Sequence, residues 1–347
     1  KLAGIGWIAR EAIKDGAFPG CQVLVAKEGK IIYQENFGNY TYSAGTKKVG
    51  NETLYDLASI TKVAATTAIL MKMVENGEID LNKTLGDYLP EYVKGTDYES
   101  VILKEMLTHQ AKFKPWIPFY SATLDENGNL NKRFYSDKKS EFYNSEVAKD
   151  IFIFKNYNKA ILTRIVSTEL LSSKNYRYSD LGYYFLKEII ETKFNRSLDL
   201  IADSLYYKPL GLQFTTYNPL TKFDKNQITP TEKDNIFRKQ LIQGYVHDQA
   251  AAMMGGIGGH AGLFSNSTEL ATIMQLFLNG GVYGGDTYFG DSTILEFTTA
   301  PYLNSVTKNR RGIGFDKPTT DLENGPTCDA VSMKSYGHSG FTGTRAW

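Results

Sequence analysis

Apolar positions at Ile5, Ile8, Ala9, Ala12 and Ile13 recur at helical spacing and predict an amphipathic helix over residues 1–17, stopped by Pro19-Gly20. Cys21-Gln22-Val23-Leu24-Val25-Ala26 then reads as a strand, Glu28-Gly29-Lys30 as a tight turn and Ile31 to Gly38 as the return strand. After Ser59 the pattern becomes helical again, through Val63, Ala64, Thr67, Ile69, Leu70, Met73 and Val74, and ends at Asn76-Gly77. Residues 112–158 are polar, aromatic and rich in Asn, Asp and Lys, and read as an insertion or long loop over a cleft. Further helices are expected at Leu181-Gly182-Tyr183-Tyr184 and, after the Gly-rich run Gly255 to Gly262, from a cap near Ser267 with Glu269 following. Tyr336 to Thr344 reads as a strand.

Composition narrows the function classes. With 347 residues, 42% of them hydrophobic, the chain can bury a sizeable core. A formal charge of +1 gives no electrostatic case for a nucleic acid or an anionic membrane as partner. No apolar run is long enough to span a bilayer. Two cysteines, Cys21 and Cys328, are too few for a disulfide scaffold, although a single bridge stays open. The four histidines, His109, His247, His260 and His338, show no metal-ligand spacing, so neither a metal nor another cofactor is expected.

Three short motifs carry the candidate chemistry: Ser59-Ile60-Thr61-Lys62, Tyr178-Ser179-Asp180 and His338-Ser339-Gly340. A serine hydroxyl needs a base within hydrogen-bond reach to become a nucleophile. Ser59 and Lys62, three apart on a helix, share one face, and the helix start favours a developing alkoxide at Ser59. Lys62 serves as base only if its surroundings lower its pKa. Asp180 has two compatible readings: an ion-pair partner that keeps Lys62 charged, or an N-cap for the helix at Leu181. His338, neutral near pH 7, can hydrogen-bond, and it would gain a positive charge through its reference pKa of about 6.5. Gly340 lets the backbone approach an acyl group closely.

In this order the motifs resemble the active-site elements of the serine β-lactamase and penicillin-binding-protein superfamily. The likeness is to its class C-like branch, which includes esterase and D-aminopeptidase relatives. It extends to Pro19-Gly20 before the first strand and to Leu103–His109, and departs at Gln110-Ala111-Lys112 and at Asp180 in place of Asn, while His338 stands where the family has Lys-Thr-Gly or, in esterase-like and D-amino-acid peptidase-like relatives, His-x-Gly. The resemblance implies an α+β fold: an antiparallel sheet flanked by helices, drawn from residues 1–58 and 262–347, beside a mainly helical region over 59–261 with its insertion near 112–158. It also implies a serine hydrolase that cleaves an ester or amide through an acyl-Ser59 intermediate, with Lys62 and Tyr178 sharing the proton transfers. The N–H groups of Ser59 and Phe341 would form the oxyanion hole, and Asp180, His338, Ser339 and Gly340 would contact the substrate.

The substrate would be a small molecule or peptide: a carboxylic ester, a cell-wall D-amino-acid peptide or, weakly, a β-lactam. With no fixed cation at His338, esters should be better substrates than penicillins. A non-catalytic module binding peptidoglycan or a partner is the alternative. His260 and His247-Asp248 are read as structural, the latter as a hydrogen-bonded pair, while Trp116 and Phe119 either line the cleft or pack the insertion. In this superfamily similar domains occur attached to glycoside hydrolases, which implies a cell-envelope or exported setting. The resemblance also implies two further strands between the N-terminal hairpin and the His338 strand, leaving those two unpaired with each other within these residues.

Overall fold

The computed structural model of the chain describes residues 2–319 and 325–347. The first predicted helix forms over Ala3–Lys14 and packs on a hairpin of strands Gly20–Lys27 and Lys30–Gly38. The hairpin is antiparallel from Gly20↔Gly38 to Lys27↔Lys30, with one irregularity at Val25/Ala26. Its turn needs left-handed backbone at both central residues, and Glu28 (φ 53°) and Gly29 (φ 73°) supply it. Gln22 ties the hairpin to the rest of the chain. Its amide donates to Gly50 O, and its Oε1 accepts from Ser267 N.

The helix Ser267–Leu278 lies against the first strand, and its cap is Asn266, one residue before the predicted position. Asn266 is extended, so its side chain can accept from Glu269 N, which frees Ser267 to be the first helical residue.

The strand predicted over 336–344 is shorter than expected. Only His338–Ser339 is extended, followed by a reversal and the strand Arg345–Ala346 pairing back on it. Gly343, at φ 86°, makes the reversal possible, and its N–H donates to Gly340 O. Among the described residues this small hairpin and the N-terminal one do not pair with each other, as expected.

The polar segment 112–158 is more ordered than its composition implied. It holds three antiparallel strands, Tyr135–Ser136, Tyr143–Ala148 and Ile151–Phe154, with the last in the middle. Tyr135, Val147 and Ile153 point into the main core while Phe154 is exposed, the alternation of a half-buried sheet. That core is continuous. It joins Ile60, Val63, Ile69 and Leu70 after Ser59 to Leu181, Tyr183, Phe185 and Ile189 of the helix Leu181–Phe194. Packing these two helical segments together fixes the distance between the first two motifs. No helix among the described residues is long and apolar enough to cross a membrane.

Candidate active site

Ser59 sits in a short 3-10 turn, Ala58–Ile60, entered through Ala58 at φ 44°. Left-handed backbone at a non-glycine residue costs on the order of 1 kcal/mol or more and must be held by its surroundings. The buried carboxylate of Asp56 holds it, accepting from Ala58 N and from His247 N. Lys62 begins a π-helical stretch, Lys62–Thr67, which passes into the α-helix Ala68–Glu75. The expected single helix is thus three kinds of helix in series. Side-chain donors support its carbonyls: Tyr207 Oη to Ala64 O and Tyr206 Oη to Ala68 O.

Lys62 is fully buried, and its Nζ has three contacts: Ser59 Oγ at 2.8 Å, His260 O at 3.2 Å and Asp180 Oδ1 at 2.6 Å. Three contacts match the three N–H donors of an ammonium. Burial works against that charge, but the Asp180 carboxylate and the Tyr178 oxygen outweigh it and hold Lys62 above the ordinary lysine pKa.

Asp180 stands at the N-cap position of the helix Leu181–Phe194 but makes no capping hydrogen bond. Its neighbour Ser179 does that work, accepting from Leu181 N and donating to Lys114 O. Of the two readings of Asp180, the ion pair with Lys62 is the one the side chain makes.

Tyr178 stacks among cations, with Lys62 Nζ 5.1 Å and the Arg311 guanidinium carbon 5.6 Å from its ring centroid. Its hydroxyl is sealed from solvent and makes no well-aligned hydrogen bond. Burial raises its pKa and the nearby Lys62 and Ser59 only partly offset this, so it rests as a phenol.

His338 is buried and fixed in one tautomer. Its Nδ1–H donates to Ser339 O at 2.8 Å, and its Nε2 accepts from Arg311 Nη2 at 3.2 Å. Burial, then Arg311 and Lys62, push its pKa well below the ordinary histidine value. The expected titration near 6.5 is therefore corrected: an imidazole accepting from a guanidinium does not gain a proton there.

Arg311, which the sequence reading missed, supplies a buried fixed cation behind His338. Arg310 and Arg311 both face Asp316, so two guanidinium groups share one carboxylate and the cluster keeps a net positive charge. The available signal was Arg310-Arg311 directly before the Gly-rich Gly312-Ile313-Gly314-Phe315, whose Ile313 and Phe315 are buried.

Ser339, Gly340 and Phe341 lie on the reversal beside Ser59. Thr342 Oγ1 donates to Asp56 O and Thr344 Oγ1 to Leu57 O, joining this turn to the residues just before Ser59. A Cβ at Gly340 would stand 2.4 Å from Leu57 O, so only glycine permits the approach. The Phe341 side chain is exposed, with its ring 5.4 Å from His247.

His247 and Asp248 do not bond each other, correcting that expectation. His247 Nε2 pairs with Glu232 at 3.1 Å, and Asp248 Oδ1 with His260 Nε2 at 2.8 Å. His260 also bears directly on the site through its carbonyl on Lys62. Phe119 is buried against Tyr184, whereas Trp116 is half exposed. Both cysteines are free, and among the described residues no cluster of potential metal ligands forms.

The geometry thus brings a buried lysine between a serine and a carboxylate, beside a glycine-bearing turn, and comparison with known proteins gives the family. The chain matches the Beta-lactamase family over residues 8–347 and belongs to that family. A protein of Salmonella agona (strain SL483) named "Putative D-alanyl-D-alanine carboxypeptidase" is 33% identical over 367 residues, spanning 98% of this chain and 77% of that protein. A penicillin-binding protein homologue from Caulobacter crescentus superposes with a TM-score of 0.65 at 16% identity, over 97% of this chain and 85% of that one. A class C β-lactamase from Rhodobacter sphaeroides superposes with a TM-score of 0.56 at 16% identity, over 83% and 68%. At such identities these two likenesses speak for the fold, which is the expected α+β arrangement.

Proposed function

We propose that the protein is a serine hydrolase that cleaves a D-amino-acid peptide ending in a free carboxylate, of the D-Ala-D-Ala type found in cell walls, through an acyl-Ser59 intermediate. The observation that carries the reading is the buried Lys62 ammonium held between Ser59 Oγ (2.8 Å) and Asp180 Oδ1 (2.6 Å). In the resting state Lys62 has no free electron pair for the Ser59 proton. It gains one when the ammonium loses its proton, which the Asp180 carboxylate disfavours, and the amine then accepts from Ser59 as Oγ attacks the carbonyl carbon. The Ser59 and Phe341 N–H groups stabilise the oxyanion. As the tetrahedral species collapses, Tyr178 protonates the leaving nitrogen and recovers its proton from the Lys62–Asp180 pair. The balance is one ester bond formed at Ser59, one amide bond broken and the serine proton transferred to the leaving amine. Water then repeats the sequence in reverse on the acyl-enzyme.

The carboxylate-terminated substrate is supported by the name of the Salmonella relative and by the positive charge of the Arg311 cluster behind His338. Ser339 and Gly340 would line the acyl position. Action on cell-wall peptide would place the enzyme in the cell envelope. The test is in two parts. A fluorophosphonate should add one label, on the Ser59 peptide, and Ser59→Ala should abolish it; a label that survives the substitution overturns the mechanism. Release of D-alanine from a D-Ala-D-Ala peptide should then lose on the order of tenfold or more in kcat/KM on Arg311→Gln, while a neutral ester is spared and Arg311→Lys retains part of the peptide activity. Equal loss on both substrates would exclude the carboxylate reading.

A further inference from the structure

His109 has no part in the chemistry just described, yet it is one of the most constrained residues around the site. It follows the short helix Leu103–Leu107 and lies at φ 58°, a conformation a non-glycine residue adopts at a cost. Its ring is buried. Its carbonyl accepts from Arg177 N at 2.8 Å and its Nδ1 accepts from Ser179 N at 3.2 Å. The residue between those two donors is Tyr178. One side chain and one carbonyl therefore pin the backbone on both sides of the tyrosine. The His109 ring also lies against the Tyr178 ring, with centroids 4.4 Å apart and planes 37° from parallel.

We propose that His109 is a positioning residue for Tyr178. Its neutral imidazole sets the height of the phenol beside Ser59 and Lys62, so that the hydroxyl meets the leaving group. The assignment rests on the reading of Tyr178 as proton donor in the proposed hydrolysis. Three observations converge on it. An imidazole whose Nδ1 accepts from Ser179 N must be neutral and carry its proton on Nε2. Burial, followed by the charges of Arg311, Lys62 and His338, lowers the His109 pKa and favours that neutral form. His109 Nε2 itself is buried without a partner, a loss of about 1–3 kcal/mol that a purely structural site would be expected to avoid.

The role predicts a dependence on the leaving group. A displaced Tyr178 matters when the leaving atom needs a proton, as an amine does, and matters little for nitrophenolate. His109→Ala and His109→Phe should lower kcat for an amide substrate by on the order of 10²-fold, the usual worth of a placed general acid. Acylation by a nitrophenyl ester should stay within a few-fold of wild type, the same split as in Tyr178→Phe. His109→Asn should recover most of the amide activity, because asparagine tolerates the left-handed backbone and places Oδ1 where Nδ1 accepts. Thermal melting of each variant separates misfolding from mispositioning. Equal losses on the two substrates, or wild-type amide turnover in His109→Ala, would overturn the assignment while leaving Ser59 chemistry standing. A wild-type protein that no acylating reagent labels at Ser59 would instead overturn the hydrolase reading, and this inference with it.

Discussion

At the scale of single residues, the departure from the expected Asn at position 180 has a direct electrostatic consequence. A carboxylate 2.6 Å from a buried ammonium stabilises the charged lysine, whereas an amide would not. In Asp180→Asn the desolvation of Lys62 loses its main counterweight and the lysine pKa should fall. A lysine that acts as base must be uncharged, so the acidic limb of the kcat/KM profile should move to lower pH, by on the order of one unit or more. Because Asp180 makes no cap bond, the substitution should cost little helix stability. An unmoved limb accompanied by a lower melting temperature would assign Asp180 to the helix instead. Ser59 and Lys62 were legible in the sequence because a nucleophile and a base expected three residues apart share one segment. Arg311, His109 and the His260 carbonyl were not. Each reaches the site through tertiary packing, from positions no local pattern relates to Ser59.

At the scale of elements, strict periodicity was readable and irregular backbone was not. The hairpin Gly20–Lys27/Lys30–Gly38 and the helix Leu181–Phe194 lie within a few residues of their predicted places, because alternation and helical spacing are imposed by burial of one face. The π-helical stretch after Lys62 and the small sheet within 112–158 were hidden. Hydrophobic spacing cannot distinguish a π turn from an α turn over six residues, and two-residue strands such as Tyr135–Ser136 are too short to show alternation. The reversal after His338 gives a test at this scale. A Cβ at Gly340 would stand 2.1 Å from Thr344 Oγ1 and 2.4 Å from Leu57 O, pushing the turn away from Ser59. At Gly343, on the same turn, a Cβ meets nothing within 4 Å and only the positive φ is penalised. Both Gly→Ala changes should cost stability, of the order of 1–3 kcal/mol for an overpacked contact and about 1 kcal/mol for the strained backbone. Only Gly340→Ala should also slow phosphonate labelling of Ser59, by tenfold or so if one oxyanion donor is displaced. Equal labelling rates in the two variants would remove the turn from the catalytic site.

For the whole molecule, the same buried groups that prepare the site should set how stability responds to acid. His109 and His338 are both buried, and burial together with the Arg311 and Lys62 charges lowers both pKa values in the folded chain. In the unfolded chain each would titrate near 6.5. Below that value the unfolded state binds protons that the folded state refuses. Stability is therefore fully present above about pH 6.5 and falls as pH drops towards the folded pKa values, with a slope of up to about 1.4 kcal/mol per pH unit for each residue. Between pH 7.5 and 5.5 the pair should remove about 3 kcal/mol, a sizeable share of a typical domain's stability. Asp56 acts in the opposite sense. Burial raises its carboxyl pKa despite the His247 and Ala58 N–H groups, so its protonation favours the folded state as pH falls. The net slope mixes these contributions, and a comparison of variants separates them. In urea unfolding, His338→Asn should lose less stability than wild type on going from pH 7.5 to 5.5, by about 1.4 kcal/mol, because one of the two refused protons no longer exists. If the two proteins lose the same amount, His338 takes up its proton in the folded state. The Arg311 hydrogen bond to its Nε2 would then have to be abandoned.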